Sequence, residues 1–338
     1  MLRIGIVGFG FMGRMHYANW GKCEGAKVVA ICDTDPDIIE NSKKAGGNIA
    51  GAENAIDFES LTVYSDFEKM LADNVVDAIS MTLPTFLHCD FSIKVLEAGV
   101  HVLCEKPMAL DPQLCGKMSE AAKKSGKILQ IGHCIRFWPE YVKAKEIIEC
   151  GDYGAVVSAT FKRLGCVPSW GADDWFAQDD RSGGMAMDLH IHDSDYVQYL
   201  FGIPKAVQSF GHPASGKGMK CITTCYSFGD DKVVTAEGSW AMSPSFGFEM
   251  SFNIVMEKAT LMYDCSREPC FKVCPVEGDA FTPDVVTGDG YSLEIEHFAG
   301  LVKGEPLPEV ITLQQSTDSI RIVQAEIKSV QDQCEIKL

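Results

Sequence analysis

A glycine-rich turn near the amino terminus constrains the fold more than any other feature of this sequence. Three glycines have the spacing G-x-G-x-x-G: Gly8, Gly10 and Gly13. They follow a β-branched run at residues 2–7 and open an amphipathic stretch at residues 11–20. In a strand–turn–helix unit, the first glycine permits a tight turn, the second admits a pyrophosphate and the third allows close helix packing. This context favours a dinucleotide site, with Phe11 and Met12 at the helix start, over a turn that only packs.

An acidic residue follows at the distance that such sites use to recognise the ribose. Asp33 lies 20 residues after Gly13, at the end of the second predicted strand. A carboxylate there accepts hydrogen bonds from the ribose hydroxyls and repels the 2′-phosphate of NADP. Because Thr34 and Asp35 add no cation, we expect the cofactor to be NAD.

Residue patterning divides the chain into two parts. Short apolar runs at 2–7, 27–32, 76–82, 101–104 and 128–131 predict strands, and the stretches 11–20, 36–44, 86–98 and 112–124 predict helices, with a loop at 46–59. After about residue 150, alternation at 233–242 and 250–257 predicts antiparallel strands with unlike faces, and 316–331 a final helix. The predicted class is α/β: a Rossmann-type doubly wound parallel sheet over residues 1–132, then an α+β domain with a largely antiparallel open sheet over residues 133–338, for substrate binding and oligomerisation.

Charge and cysteine content exclude several classes of function. The 338 residues include 30 Lys and Arg against 47 Asp and Glu, a net charge of −17. Such a chain repels nucleic acid and anionic membranes, so we expect neither as a partner. No signal peptide or spanning segment is predicted, and we expect a cytoplasmic protein whose fourteen cysteines are reduced. The closest group, Cys265, Cys270 and Cys274, lacks a zinc-binding spacing, and no metal is expected.

Two further segments carry candidate catalytic groups. Glu105 and Lys106 follow a predicted parallel strand, at the sheet edge where ligands bind in α/β proteins. Four polar residues are spaced to share one helix face: Asp188, His192, Asp195 and Tyr199. A buried polar stripe is either satisfied internally or functional, so His192 is a proton acceptor or a core hydrogen-bonding residue. His190, offset by two positions, is expected to point elsewhere, and the H-x-H pair does not share a face as metal ligands would.

At these residues the chain resembles the glucose-fructose oxidoreductase, inositol dehydrogenase and MocA-like family. Its E-K-P motif is matched by Glu105, Lys106 and Pro107, and its T-x-P-x-x-x-H motif by Thr82, Pro84 and His88. The resemblance covers essentially the whole chain, including residues 183–195. It implies that Lys106 and His192 are the catalytic pair, that Asp188 orients the substrate, that the Lys106–Pro107 bond is cis, and that the residues of both motifs border the cofactor.

The resemblance also implies an enzyme of carbohydrate metabolism, an NAD-dependent dehydrogenase (EC 1.1.1.-). Its substrate would be a secondary alcohol of a sugar or of an inositol-like cyclic polyol. Trp175, in a segment expected to cover the cleft, suits stacking on a sugar, but would be merely solvated in a surface loop. Arg163 and Arg136 could bind an anionic group of the substrate or pair with acidic residues.

Two other functions and an assembly remain open at this point. Some relatives oxidise a sugar transiently, cleave a neighbouring glycosidic bond and recycle a bound NAD. Others are non-catalytic NAD-dependent sensors, which would be free to lose Lys106, Asp188 and His192. The predicted outer face of the C-terminal sheet has few charges, as at Thr235 and Ser239, which favours a homodimer or homotetramer unless helix 316–331 covers that face.

Overall fold

The computed structural model describes residues 1–42, 56–168, 175–176, 178–212 and 218–338. Its strands are β1 (Leu2–Val7), β2 (Ala26–Cys32), β3 (Thr62–Tyr64), β4 (Ala78–Met81), β5 (His101–Glu105), β6 (Leu129–Gly132), β7 (Val156–Leu164), β8 (Ala206–His212), β9 (Cys221–Ser227), β10 (Val233–Ser239), β11 (Glu249–Met256), β12 (Ala259–Asp264), β13 (Phe271–Pro275) and β14 (Ile336–Lys337). Its α-helices are α1 (Phe11–Trp20), α2 (Ile38–Ser42), α3 (Phe67–Ala72), α4 (His88–Glu97), α5 (Pro112–Ser125), α6 (Pro139–Cys150), α7 (Asp179–Ser182), α8 (Ile191–Phe201), α9 (Gly290–Lys303) and α10 (Leu313–Asp332). Most of the predicted loop at 46–59 lies outside the described residues, and its described end enters a short 3₁₀ turn, Phe58–Ser60.

The chain divides into two compact units. The first comprises Met1–Cys134, Pro168–Trp175 and Asp289–Thr317, and the second comprises the remaining segments. The sequence predicts a single division after residue 132, whereas the structure returns α9 to the first unit. The reason is apolar burial: Ile295 and Phe298 of α9 join a core cluster with Trp20, whose ring centroid lies 6.2 Å from that of Phe298.

The first unit contains a six-stranded parallel sheet in the order β3-β2-β1-β4-β5-β6. This is the strand order of doubly wound dinucleotide-binding sheets, in which ligands bind beyond the carboxyl ends of the strands. Register places the last residues of three central strands side by side, since Val7 of β1 pairs with Cys32 of β2 and with Met81 of β4. The segments after β1, β2, β4 and β5 therefore emerge at one edge.

The second unit contains an eight-stranded sheet in the order β13-β12-β11-β7-β10-β9-β8-β14. β7 and β10 run parallel and the other pairs are antiparallel, as predicted for a largely antiparallel sheet. Alternate residues of the strands point into an aromatic core. Tyr141 of α6 lies edge-on to Tyr196 of α8 and to Phe252 of β11, with ring centroids 4.7 and 5.0 Å apart.

The opposite face of this sheet is exposed in the single chain. Phe210 of β8 is 70% exposed and Val233 of β10 is 56% exposed. The described part of α10 in this unit packs on the inner side, where Glu326 bonds to Ser194 of α8. The terminal helix therefore does not cover Phe210 and Val233, which was the alternative to association.

All fourteen cysteines are present as free thiols. The described residues hold no group of three or more His, Cys, Asp or Glu side chains arranged to bind a metal ion. Among the described helices, none has the length and apolarity needed to cross a bilayer.

Candidate active site

The glycine-rich turn of the first unit has the shape that a dinucleotide requires. Gly8 has φ +87°, and a Cβ there would lie 2.8 Å from the carbonyl oxygen of Thr82. A Cβ on Gly13 would overlap the carbonyl oxygen of Gly8. A Cβ on Gly10, in contrast, would meet no atom within 4 Å, so the space at the amino-terminal end of α1 is open. The residues present thus fit a bound pyrophosphate, which helix amino termini favour.

Asp33, directly after β2, is joined to the same turn. Its Oδ2 accepts a hydrogen bond from the Phe9 N–H at 2.7 Å, and its Oδ1 accepts one from the Asp35 N–H at 2.9 Å. The side chain is still partly exposed. Because each carboxylate oxygen accepts more than one hydrogen bond, Asp33 keeps acceptor capacity for ribose hydroxyls. Phe11 and Met12 are half-buried and begin α1, as predicted.

The T-x-P-x-x-x-H residues follow β4 and support the turn. The hydroxyl of Thr82 lies 2.6 Å from the carbonyl oxygen of Gly8, and Pro84 is half-buried. His88 is buried, with Nε2 2.8 Å from Leu83 O and Nδ1 2.9 Å from Pro107 O. Each ring nitrogen thus lies beside a main-chain carbonyl oxygen, and the ring links the loops that follow β4 and β5. The place of His88 beside the cofactor stays a prediction.

The E-K-P residues lie at the carboxyl end of β5. Lys106 is partly exposed, and its bond to Pro107 is cis. Glu105 is buried; its Oε1 lies 2.9 Å from His16 Nε2, and its Oε2 accepts the Lys106 N–H at 3.1 Å. Burial raises the pKa of a carboxyl, but the hydrogen bond from His16 and the charges of His16, Lys106 and His88 outweigh it and lower the pKa of Glu105. Glu105 is therefore an anion beside Lys106.

A single π-helical turn, Ala186–His190, precedes α8 in the second unit. Such turns are rare and occur frequently at functional sites. Asp188 lies on the turn and His192 in the first turn of α8, and both are partly exposed. They are two of the four residues of the predicted polar stripe.

Of the other two residues of that stripe, Asp195 is buried and paired, and Tyr199 is half-buried. Asp195 accepts two hydrogen bonds from Arg136, each 2.8 Å long, and the Arg136 guanidinium lies 4.5 Å from the centre of the Tyr199 ring. A buried guanidinium needs a carboxylate partner, and Asp195 supplies it to Arg136.

Arg163 pairs with a carboxylate in the same way. Its Nε and Nη2 lie 2.9 and 3.1 Å from the two carboxylate oxygens of Asp193, and the pair is buried. Of the two roles left open by the sequence, the structure shows the pairing with an acidic residue, and the substrate role of Arg163 stays a prediction. Trp175 is half-buried, whereas residues 169–174 of the predicted cleft-covering segment lie outside the described residues.

Two buried groups, His16 and Glu294, have no place in the sequence prediction of the site, and a third, His190, is only a lower-ranked candidate there. His16 holds Glu105, and its only signal in the sequence is its place three residues after Gly13. His190 points inward, as its offset predicts, with Nε2 3.2 Å from Glu326. Glu294 of α9 is fully buried, and neither carboxylate oxygen has a hydrogen-bond partner in the described structure. Burial and the charge of Glu105 raise the pKa of Glu294 well above its usual value.

Known proteins resemble this chain at moderate identity. The 2,7-anhydro-N-acetylneuraminate hydratase of Escherichia coli (strain K12) is 32% identical over 212 residues, 62% of this chain and 53% of that protein. The chain thus spans about half the length of this relative and of others that it matches. The scyllo-inositol 2-dehydrogenase (NAD(+)) of Bacillus subtilis (strain 168) is 26% identical over 355 aligned residues, 100% of this chain and 96% of that protein.

The fold and family agree with this likeness. The WlbA dehydrogenase of Bordetella pertussis, solved with NADH and UDP-GlcNAcA, superposes with a TM-score of 0.83 over 100% of this chain and 97% of that one, at 22% identity. Residues 2–133 match the oxidoreductase family model with an NAD-binding Rossmann fold, and residues 141–262 match the C-terminal domain model of the same family. Together the two matches span most of the chain, which therefore belongs to the GFO/IDH/MocA family of oxidoreductases.

Proposed function

We propose that this protein is an NAD-dependent dehydrogenase that oxidises a secondary alcohol of a sugar or of an inositol-like cyclic polyol. The observation that carries the proposal lies in the first unit. Several strands of the parallel sheet end at one edge, and three features lie directly after them. These are the open space beside Gly10, the carboxylate of Asp33 and the partly exposed Lys106. Ligands of open α/β sheets bind at that edge. The inositol dehydrogenase among the relatives supports a cyclic hydroxylated substrate.

The residues that would hold NAD divide by the part of the cofactor they meet. The Gly8–Gly13 turn and the start of α1 take the pyrophosphate, and Asp33 takes the adenosine ribose. Thr82 and Pro84 border the nicotinamide half. Bound NAD supplies the nicotinamide that accepts a hydride. Glu105 is buried and acts on Lys106 rather than on the ribose.

The proposed catalytic groups answer the needs of alcohol oxidation. The hydroxyl must lose its proton while a hydride leaves the same carbon, so that the alcohol becomes a ketone. His192 accepts the proton, because imidazole titrates near neutral pH. The Lys106 ammonium donates a hydrogen bond to the oxygen as negative charge develops there. Asp188 accepts a hydrogen bond from a neighbouring substrate hydroxyl and orients the ring.

One observation favours a second function. A relative at 32% identity is named a hydratase. A hydratase adds water to its substrate, a reaction without net oxidation. The same groups would serve such a reaction if the oxidised cofactor were regenerated within each turnover. In that case the protein would retain NAD through purification and form no NADH in excess.

A panel of sugars, anhydrosugars and inositols tests both functions in one experiment. NADH absorbance is followed for each compound, and products are examined by mass spectrometry. Net NADH with a product lighter by two hydrogens supports the dehydrogenase. A product altered by water alone, without NADH, supports the second function. If no compound reacts although NAD binds, the enzymatic proposal fails and a sensor remains.

We also propose that the protein is a homodimer or homotetramer formed through the C-terminal sheet. Its exposed face carries Val157, Phe210 and Val233, which are 49%, 70% and 56% exposed. Large exposed apolar side chains on a broad sheet are rare in monomers, and twofold association is the commonest way to bury them. Light scattering that gave a mass near 37.0 kDa, unchanged on concentration, would refute this assembly.

A further inference from the structure

Two buried histidines contact the residues on either side of Lys106, one histidine on each side. Before Lys106, the side chain of Glu105 contacts His16 of α1, and their side chains are 8% and 1% exposed. After Lys106, the carbonyl oxygen of Pro107 lies 2.9 Å from the ring of His88 at the start of α4. His16 is not among the groups assigned above to proton transfer or cofactor binding.

The Glu105 carboxylate connects His16 to Lys106. One oxygen lies 2.9 Å from His16 Nε2, and the other accepts the main-chain N–H of Lys106 at 3.1 Å. The carboxylate has little room to move on its far side. A Cβ on Gly132 of the neighbouring strand β6 would lie only 3.3 Å from Glu105 Cα, Cδ and Oε2.

Charges around Glu105 make the contact with His16 important. His16 faces it from α1, His88 from α4, Lys106 from the end of its own strand, and Glu294 from α9. Burial opposes ionisation of Glu105, and Glu294 would add repulsion if it were charged. The contact with His16 is the side-chain hydrogen bond that offsets this burial, beside the weaker main-chain bond from Lys106 and the charges that act through space.

We propose that His16 is a positioning residue for hydride transfer: its ring holds the Glu105 carboxylate, which fixes the main chain of Lys106 and so the place of the Lys106 ammonium. The inference rests on the proposed dehydrogenase function. It differs from a purely structural role because His16 then affects the chemistry of Lys106 more than the binding of NAD.

Two substitutions of similar polarity separate the contact from general packing. The amide of His16→Gln reaches the position of Nε2 and keeps a donor toward Glu105, whereas the amide of His16→Asn is too short. The matched control is His101→Asn, at the opposite end of β5, where the new oxygen keeps the acceptor that Nδ1 offers to the Ile128 N–H at 3.1 Å. Thermal unfolding of each variant shows whether it folds.

The first measurement needs no substrate. The rate at which trinitrobenzenesulfonate modifies Lys106 is followed by peptide mass spectrometry. We expect His16→Asn to change this rate and His16→Gln and His101→Asn to keep it. An unchanged rate in folded His16→Asn overturns the inference, whatever the fate of the proposed function. If His16→Asn does not fold, Glu105→Gln replaces it, since it weakens the same link to Lys106.

The second measurement uses the alcohol found in the panel. His16→Asn should lower kcat by about 10-fold to 100-fold, as small misplacements of catalytic groups do, and leave the dissociation constant of NAD nearly unchanged. Loss of the hydrogen bond should raise the pKa of Glu105, so the acid limb of the kcat profile should move to higher pH. His16→Gln should restore kcat. Equal loss in both variants, with an unshifted profile, would show a structural role only.

Discussion

The carboxylate of Asp33 accepts a hydrogen bond from the main-chain N–H of Phe9 at 2.7 Å, so the residue that would read the ribose also shapes the glycine-rich turn. Phe9 and Asp33 are 24 residues apart in sequence, and this hydrogen bond joins them directly in the fold. If Asp33 binds the ribose as proposed, cofactor selectivity and turn geometry depend on the same side chain. A substitution at Asp33 must separate its charge from its role as an acceptor.

Asp33→Asn makes that separation, because it removes the charge and keeps one oxygen for the Phe9 N–H. We expect the wild-type protein to bind NAD about tenfold or more tightly than NADP, a difference of about 1.4 kcal/mol, and the variant to narrow this ratio. Fluorescence titration with NADH and NADPH measures both affinities. The control, Asp35→Asn, removes the same charge two residues further on and should have a smaller effect. Tighter binding of NADPH by the wild-type protein would contradict the assignment.

Lys106→Ala and His192→Ala should each lower turnover by about 10² or more, the usual effect of losing electrostatic stabilisation or general-base catalysis. NAD affinity should change much less, since neither side chain is assigned to the pyrophosphate or the adenosine ribose. Steady-state kinetics and cofactor titration give the two numbers. Lys124→Ala, at an exposed position on α5, controls for loss of a positive charge. Near-wild-type turnover in either variant would remove that residue from the mechanism.

Substitution of glycine by alanine should have opposite effects on stability at two positions of the chain. A Cβ on Gly238 of β10 would lie 2.8 Å from Cβ and Nδ1 of His190, so Gly238→Ala should destabilise by about 1–3 kcal/mol. A Cβ on Gly116, inside α5, would meet nothing within 4 Å, so Gly116→Ala should stabilise by about 0.5–1 kcal/mol. Urea unfolding of both variants is the test. A neutral Gly238→Ala would show that His190 is not tightly packed.

Because of Glu294, we expect the free energy of unfolding to fall as the pH rises. Burial, aided by the charge of Glu105, raises the pKa of Glu294 in the folded chain, so the native state holds a proton that the unfolded chain releases near its ordinary pKa. Glu294 contributes its full stability below the ordinary pKa of a glutamate in the unfolded chain. This contribution is lost as the pH rises from that ordinary pKa towards the raised pKa of the folded chain. Glu294→Gln should remove the dependence. The difference in Tm between variant and wild type, measured from pH 5 to pH 8, should increase with pH, and a constant difference would contradict the assignment.

Local periodicity is sufficient to predict the elements that surround the cofactor. β1 and α1 coincide with the predicted runs at 2–7 and 11–20 because each carries its own pattern of burial. β3 is missed, since Thr62 and Val63 are exposed on a three-residue edge strand and show no alternation. The sequence does not show that α9 packs with the first unit, because an amphipathic helix does not reveal which core it will join.

Pairings between distant residues are what the sequence could not predict. Arg163 had 47 acidic residues as possible partners, and its bond to Asp193 depends on how α8 lies across β7. His88 matched a family motif, but only the fold shows that main-chain oxygens engage both of its ring nitrogens. The contact between His16 and Glu105 likewise exists only once α1 has packed beside β5.

Because α9 belongs to the first unit, the core of that unit can be completed only late in synthesis. Trp20 leaves the ribosome early, yet Ile295, Phe298 and Ala299, which belong to its core cluster, are made only after the entire eight-stranded sheet except β14. Until then the nucleotide-binding unit exposes an apolar surface to the cell. A fragment that ends before α9 carries the whole glycine-rich turn but lacks part of its own interior. The nascent chain therefore needs its own distal segment, or a chaperone in its place, to keep that surface from aggregating.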